Sequence, residues 1–330
     1  MSVKLYRVES QRLKQHEICY LAKSIRVGNK VTKARVKLGN AKPTPEEEEK
    51  ITSTPHPRLE AEILRKQVDA EAKKGAKHLE EDTLRRVEES RHWEHFFRLF
   101  LNKTEIEQVE TGQEVEYVAG TTAIEGNTFT VQQVDELLQK GVSPSGKSLR
   151  EINEVQNYFA VAEYRETYRG RVSITFIKRI HAMVMKNIDK ESAGYFRRID
   201  TIGIRGLNAS VAPSIMIEEE LQRLIDDYYL KLAAGMNPFE EAVLFHYEFE
   251  MIHPFTDGNG RVGREVLNHM LIRAGYPRLI VRRVHREMYL SALRSGNEGQ
   301  YPQLVSQFAD LLLDDRETLF KSIISQTQNG

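Results

Sequence analysis

The stretch HPFTDGNGRVGR, His253 to Arg264, places a histidine, a carboxylate, three glycines and two arginines within twelve positions. Just upstream, Asn237 is a helix cap and Pro238 a first helical residue, so a helix is predicted over PFEEAVLFHYEFEMI. Phe245, Phe249 and Ile252 recur at helical spacing, which predicts a buried helix carrying His253 at its C-terminal end, where Pro254 stops it. Downstream, Val262, Val266, Met270 and Ala274 repeat at the same period and Gly275 closes a second helix. DGNGR is then the loop between two helices and the first turn of the second.

That geometry suits a polyphosphate. Gly258 and Gly260, with Asn259 between them, allow successive backbone N–H groups to turn inward as an anion-binding nest. The free N–H groups at the start of the following helix add to it. Arg261 and Arg264, three apart, share one face of the first turn and can both fork onto phosphate oxygens. Asp257 is a hard oxygen ligand suited to a magnesium ion that already holds phosphates. His253 can take a proton from an attacking hydroxyl. The plainer alternative is a capped helix–loop–helix with an incidental histidine. His246 and His253 could suggest a metal pair, but no third ligand stands nearby in sequence, and His246 reads as a packed or capping side chain.

The stretch resembles the Fic-family signature HPFx[D/E]GNGRxxR at every defined position. The resemblance implies a mainly α-helical core with a β-hairpin flap. It implies transfer of AMP from ATP to a Ser, Thr or Tyr hydroxyl of a target protein, with His253 as base, Mg²⁺ on Asp257, and Gly258, Asn259, Gly260, Arg261 and Arg264 around the phosphates. TTAIEGNTFT, residues 121–130, resembles the family's inhibitory motif [S/T]xxxE[G/N] through Thr121, Glu125 and Gly126. In that reading Glu125 pairs with Arg264 and keeps the γ-phosphate from seating productively, since a carboxylate in an arginine fork competes directly with phosphate. On its residues alone the segment is a helix end at Gly126, followed by Thr130 as the next N-cap. GYFRRIDTIGIRGLNASVAPS, residues 194–214, changes period. Ile199, Thr201 and Gly203 alternate with Ile202 and Ile204, residues 205–208 can turn, and Val211 and Pro213 end a return strand. It resembles the family's flap, which holds a target peptide by strand addition; a surface hairpin is the alternative. Near the C-terminus, EMYLSALRSGNEG resembles the segment closing the nucleoside end of the pocket. Asn297 would face the nucleoside and Tyr289 or Leu293 would wall the base, although the spacing equally fits core packing.

The rest of the chain constrains this reading. Lys+Arg and Asp+Glu both number 48 in 330 residues, so net charge favours no partner. The single cysteine, Cys19, excludes an intramolecular disulfide framework. No apolar run reaches membrane-spanning length and no signal-peptide core opens the chain, so a cytoplasmic protein without a membrane partner is expected. Neutrality hides a basic end: residues 1–42 hold eleven Lys/Arg against two Glu, in alternating strand-like runs with Gly28-Asn29 as a hairpin turn. Aromatic residues are sparse there, so a small strand module with a solvated basic face is expected and nucleic acid is not.

KPTPEEEEK reads as a linker-like break, followed by charge-dense helices from Pro57 to about Lys103. The expected organisation is a basic strand-rich module over 1–44, a helical linker region over 45–100, the Fic core over 101–311 and a C-terminal helix over 312–330. Expected partners are ATP and a protein with a modifiable hydroxyl, self-modification being possible. Two rivals are carried. The same site could transfer another nucleotide or use Glu125 to remove AMP, or the protein could be a nucleotide-sensing adaptor with a nucleic-acid-binding N-terminal segment.

Overall fold

The computed structural model describes residues 4–13, 16–27, 29–71, 75–200 and 211–326. It opens on three strands, β1 (Arg7–Leu13), β2 (His16–Val27) and β3 (Lys30–Gly39). Then come α1 (Pro45–Ser53), α2 (Pro57–Glu71), α3 (Glu81–Ser90), α4 (Trp93–Phe100), α5 (Lys103–Ile124) and α6 (Val131–Lys140). The remaining long helices are α7 (Leu149–Thr167), α8 (Ile174–Val184), α9 (Ile217–Ala233), α10 (Pro238–Ile252), α11 (Asn259–Arg273), α12 (Arg286–Asn297) and α13 (Tyr301–Gln326). The fold is therefore mainly α-helical with one small antiparallel sheet, as the sequence predicts.

The chain forms two compact units, one of Met1–Lys73, Glu81–Ile106 and Leu313–Gly330, the other of Lys74–Glu80 and Glu107–Leu312. In the first, the sheet runs in the order β1-β2-β3, and its alternating apolar face meets α2 in a cluster of Tyr6, Leu21, Ile25, Ala34, Leu59 and Ile63. The basic residues are partly engaged within the unit: Lys33 and Arg7 pair with Glu9, and Arg35 lies over the Tyr20 ring. Trp93 stacks on Phe320, and Arg86 forks onto Glu317 at 2.8 and 2.7 Å. The expected break at KPTPEEEEK is instead the start of α1. Thr44 and Glu47 form a capping box, each side chain accepting the other's backbone N–H, so Pro45 opens a helix rather than interrupting one.

The second unit is built on the α10–α11 pair, with α9 beside α10 and α8 beside α11. Phe239, Val243, Phe245 and Phe249 of α10 are fully enclosed, each contributing at most roughly 1.5–3 kcal/mol of burial energy. Asn237 caps α10 as predicted, its Oδ1 accepting from Phe239 and Glu240 N–H. The predicted return strand is corrected in part: residues 211–213 carry no strand, and Pro213 leads into a 3₁₀ turn at Ser214–Met216. Residues 201–210, on which the rest of the hairpin expectation falls, lie outside the described residues.

Candidate active site

Helix α10 ends in a left-handed turn at His253 (φ 50°, ψ 61°), a conformation that costs a non-glycine residue about 1–2 kcal/mol. Its N–H caps the helix on Phe249 O, and its Nδ1 lies 3.3 Å from Glu250 O. A carbonyl can only accept, so Nδ1 carries the proton and Nε2 keeps the basic lone pair. Burial holds the imidazole below the usual histidine range, the Glu250 carbonyl opposing this and the Arg197 cation reinforcing it.

The loop after it is tied at both ends. Asn259 closes it with its side chain, Oδ1 accepting from Phe255 N–H and Nδ2 donating to Phe255 O, both at 2.8 Å. His181 of α8 donates from Nε2 to the Asp257 carbonyl at 3.0 Å while its Nδ1 accepts from Gly194 N–H. Burial pushes that histidine down to about 4, so it stays neutral in this role. Gly258 is left-handed (φ 80°) and starts α11, as a nest requires. Gly260 lies in the first turn of the helix, and its missing side chain makes room for the Glu125 carboxylate, 2.3 Å from where a Cβ would stand.

Asp257 accepts from Gly258 N–H and Arg261 Nη2 on Oδ1 and from Arg150 Nη2 on Oδ2. Burial disfavours its ionised form, but the Arg261 and Arg150 guanidiniums outweigh this and hold the carboxyl below the usual range. Arg261 is buried, and its Nε and Nη1 have no hydrogen-bond partner, though Glu154 Oε1 lies 3.5 Å from Nη1. Arg264 is buried too. It donates to Thr121 Oγ1 at 2.8 Å, to Thr121 O at 2.9 Å and to Glu125 Oε1 at 2.9 Å, and its Nη1 reaches Tyr289 OH at 3.5 Å.

Glu125, Glu250, His253, Asp257, Arg261 and Arg264 all line one cavity of about 820 Å³, together with Gly258, Asn259 and Gly260. Tyr289 and Leu293 of α12 form part of its wall, whereas Asn297 does not line it and accepts instead from the Tyr247 hydroxyl at 3.1 Å. His246 is a packed side chain within hydrogen-bond distance of Tyr289 OH. The donor set fits a polyphosphate, because two buried arginines and a helix N-terminus converge while Arg261 keeps unused donors. Among the described residues no three metal-ligating side chains gather. The Asp257 carboxylate fits magnesium held jointly with substrate phosphates rather than in a protein cage.

Sequence reasoning missed Arg150, Glu154, His181, Arg197 and Glu250. Glu250 had a signal, since it stands one turn before His253 on a helix whose apolar spacing predicts burial; Arg150 and Glu154, at i,i+4 on α7, had only that spacing.

Loop, helix pair and cavity together form a cationic pocket whose geometry suits phosphate groups, on a mainly helical scaffold. Residues 171–271 match the model of the Fic/DOC family. Protein adenylyltransferase fic-1 of Caenorhabditis briggsae is 34% identical over 198 residues, covering 58% of this chain and 38% of that protein. The chain thus spans about two-fifths of such a relative's length. A solved fragment of Fic-1 from C. elegans shares the fold at TM-score 0.64 and 22% identity, covering 85% of this chain and 92% of the other. A Fic family protein from Desulfovibrio desulfuricans does so at TM-score 0.60 and 23% identity, covering 76% of each chain. No helix among the described residues is long and apolar enough to cross a membrane.

Proposed function

We propose that the chain is a protein adenylyltransferase, moving AMP from ATP to a hydroxyl of a protein target, and that Glu125 restrains it. The observation that carries the reading is the convergence of His253, Asp257, Arg261 and Arg264 on one cavity, with Glu125 occupying the Arg264 fork. The name protein adenylyltransferase, borne by the relatives of this domain, supports it. The catalytic piece is the core over residues 101–311, and a cytoplasmic setting goes with this reading.

In this mechanism the α11 N-terminus and Arg261 hold phosphate oxygens, and Asp257 would hold magnesium, whose charge offsets that of the triphosphate. His253 Nε2 takes the proton of the target hydroxyl as its oxygen bonds to the α-phosphorus. The bond to the bridging oxygen of the β-phosphate breaks, and pyrophosphate leaves. Positioning and charge stabilisation supply most of the acceleration. While Glu125 sits in its fork, ATP must displace a charge-assisted hydrogen bond to use Arg264.

His253→Ala tests the assignment. Equilibrium binding of ATP should stay within about threefold of wild type, because the phosphate donors are untouched, while transfer of α-phosphate label to protein falls at least about 100-fold. Wild-type transfer by the alanine variant would remove His253 as the base.

A further inference from the structure

The left-handed turn at His253 needs an external hold, and a single side chain supplies it. Arg197 is buried, its side chain wholly enclosed, and it stands beside the C-terminal end of α10. Nε donates to His253 O at 2.8 Å and Nη2 to Ile252 O at 3.3 Å. Nη1 donates to Ile199 O at 3.0 Å and to Asp200 Oδ1 at 3.3 Å, and Nη2 also donates to Ala212 O. Its backbone N–H donates to Pro254 O at 2.9 Å. All five guanidinium donors are used, four of them on main-chain carbonyls.

Two of those carbonyls, Ile252 O and His253 O, belong to the last turn of α10, where a helix leaves acceptors unpaired and carries partial negative charge. A cation forking across both satisfies them in the left-handed geometry, offsetting a conformation that the backbone alone disfavours. Ile199 and Ala212 fix the other side of the guanidinium, so its plane cannot follow His253 if the turn relaxes. The direction of the imidazole into the cavity is then set from outside the signature.

We propose that Arg197 is the positioning residue for the base, locking the His253 turn so that Nε2 faces the reacting hydroxyl. The claim rests on the reading of His253 as the base. A lysine could not do the same, because its ammonium is a point donor and cannot span the carbonyls of two chain segments in one plane.

Arg197→Gln keeps amide donors at the site and removes the fork and the charge. Its ATP dissociation constant should stay within about twofold of wild type while kcat for AMP transfer drops about 100-fold, the cost expected of a misplaced base. A merely structural role would lower both together. The pH profile gives a second readout. Glu125 at the end of α5 and Asp257 of the loop favour the charged imidazole and Arg197 is the cation set against them, while the Glu250 carboxyl and the Arg261 and Arg264 cations line the same cavity. Losing it raises the imidazole, so the acid limb of kcat should move to higher pH. Unchanged kcat, or loss of nucleotide binding in step with kcat, overturns the proposal. If Arg197→Gln is not recovered folded, Arg197→Lys carries the same kcat-against-binding comparison. His253→Ala in the same assay separates the two claims: an inactive His253→Ala beside a fully active Arg197 variant sinks only the positioning role, whereas an active His253→Ala sinks the base.

Discussion

Glu250 stands one turn before His253, enclosed in α10 against Gly263 and His246, with Oε1 lacking any hydrogen-bond partner. Burial pushes its carboxyl from an ordinary 4.5 up to about 8, the Arg264 cation opposing and Glu125 adding. The folded state therefore holds this proton more tightly than the unfolded chain. Its contribution to stability is full below about pH 4.5 and is lost as pH rises to about 8. Glu250→Gln has no proton to lose, so its melting temperature should gain on wild type by about 4 °C between pH 5 and pH 8. Parallel melting curves across that range would contradict the buried-acid account. Residues of this kind explain what the sequence showed of the site and what it did not. His253, Asp257, Gly258, Arg261 and Arg264 are contiguous, so their chemistry and spacing could be read together. Arg150, His181 and Arg197 reach the same place from separate segments, as hydrogen-bond partners of Asp257 and of the His253 carbonyl, and nothing in their own neighbourhoods marks them.

Helix α5 leads into Glu125, the proposed restraint, and its seat is a glycine. A Cβ on Gly120 would stand 2.2 Å from the Val281 carbonyl oxygen, a backbone atom that cannot swing aside. The next residue, Thr121, gives Arg264 two of its hydrogen bonds, and Glu125 follows the last turn. At an open helical position Gly→Ala would stabilise by roughly 0.5–1 kcal/mol. Here overpacking should reverse the sign, costing about 1–3 kcal/mol in chemical denaturation, and should raise transfer by loosening the Glu125 contact. A stabilised Gly120→Ala with unchanged transfer would show that the helix is not seated this way. At this scale periodicity and caps did well wherever both were present: Asn237, Ser148 and Thr130 each begin a helix with the side-chain bond their type predicts, although Ser148 was not singled out beforehand. The acidic run after Thr44 misled because charge and proline suggested a linker, while the Thr44–Glu47 capping box was present in the letters. Pro213 misled in the opposite sense: residues 211–213 carry no strand, and Pro213 leads into a 3₁₀ turn.

Across the whole molecule, the balanced charge conceals a basic N-terminal sheet unit whose lysines and arginines are partly paired with Glu9 or laid over Tyr6 and Tyr20. The helical unit holds the cavity and all the chemistry described for it. The helical class could be read from periodicity, and the site from one loop. The course of the two units along the chain could not, because the first returns after residue 312 through contacts such as Arg86–Glu317, which span more than two hundred positions. The central claim is that this cavity moves AMP onto protein and that Glu125, through Arg264, restrains it. Intact-mass analysis of the Glu125→Gly protein after incubation with ATP and Mg²⁺ tests it most directly. The account predicts covalent AMP on the protein, more than on wild type, and none when Arg264→Ala or His253→Ala is added. No AMP adduct on Glu125→Gly, a phosphate-mass adduct in its place, or a gain that persists without Arg264 would contradict it.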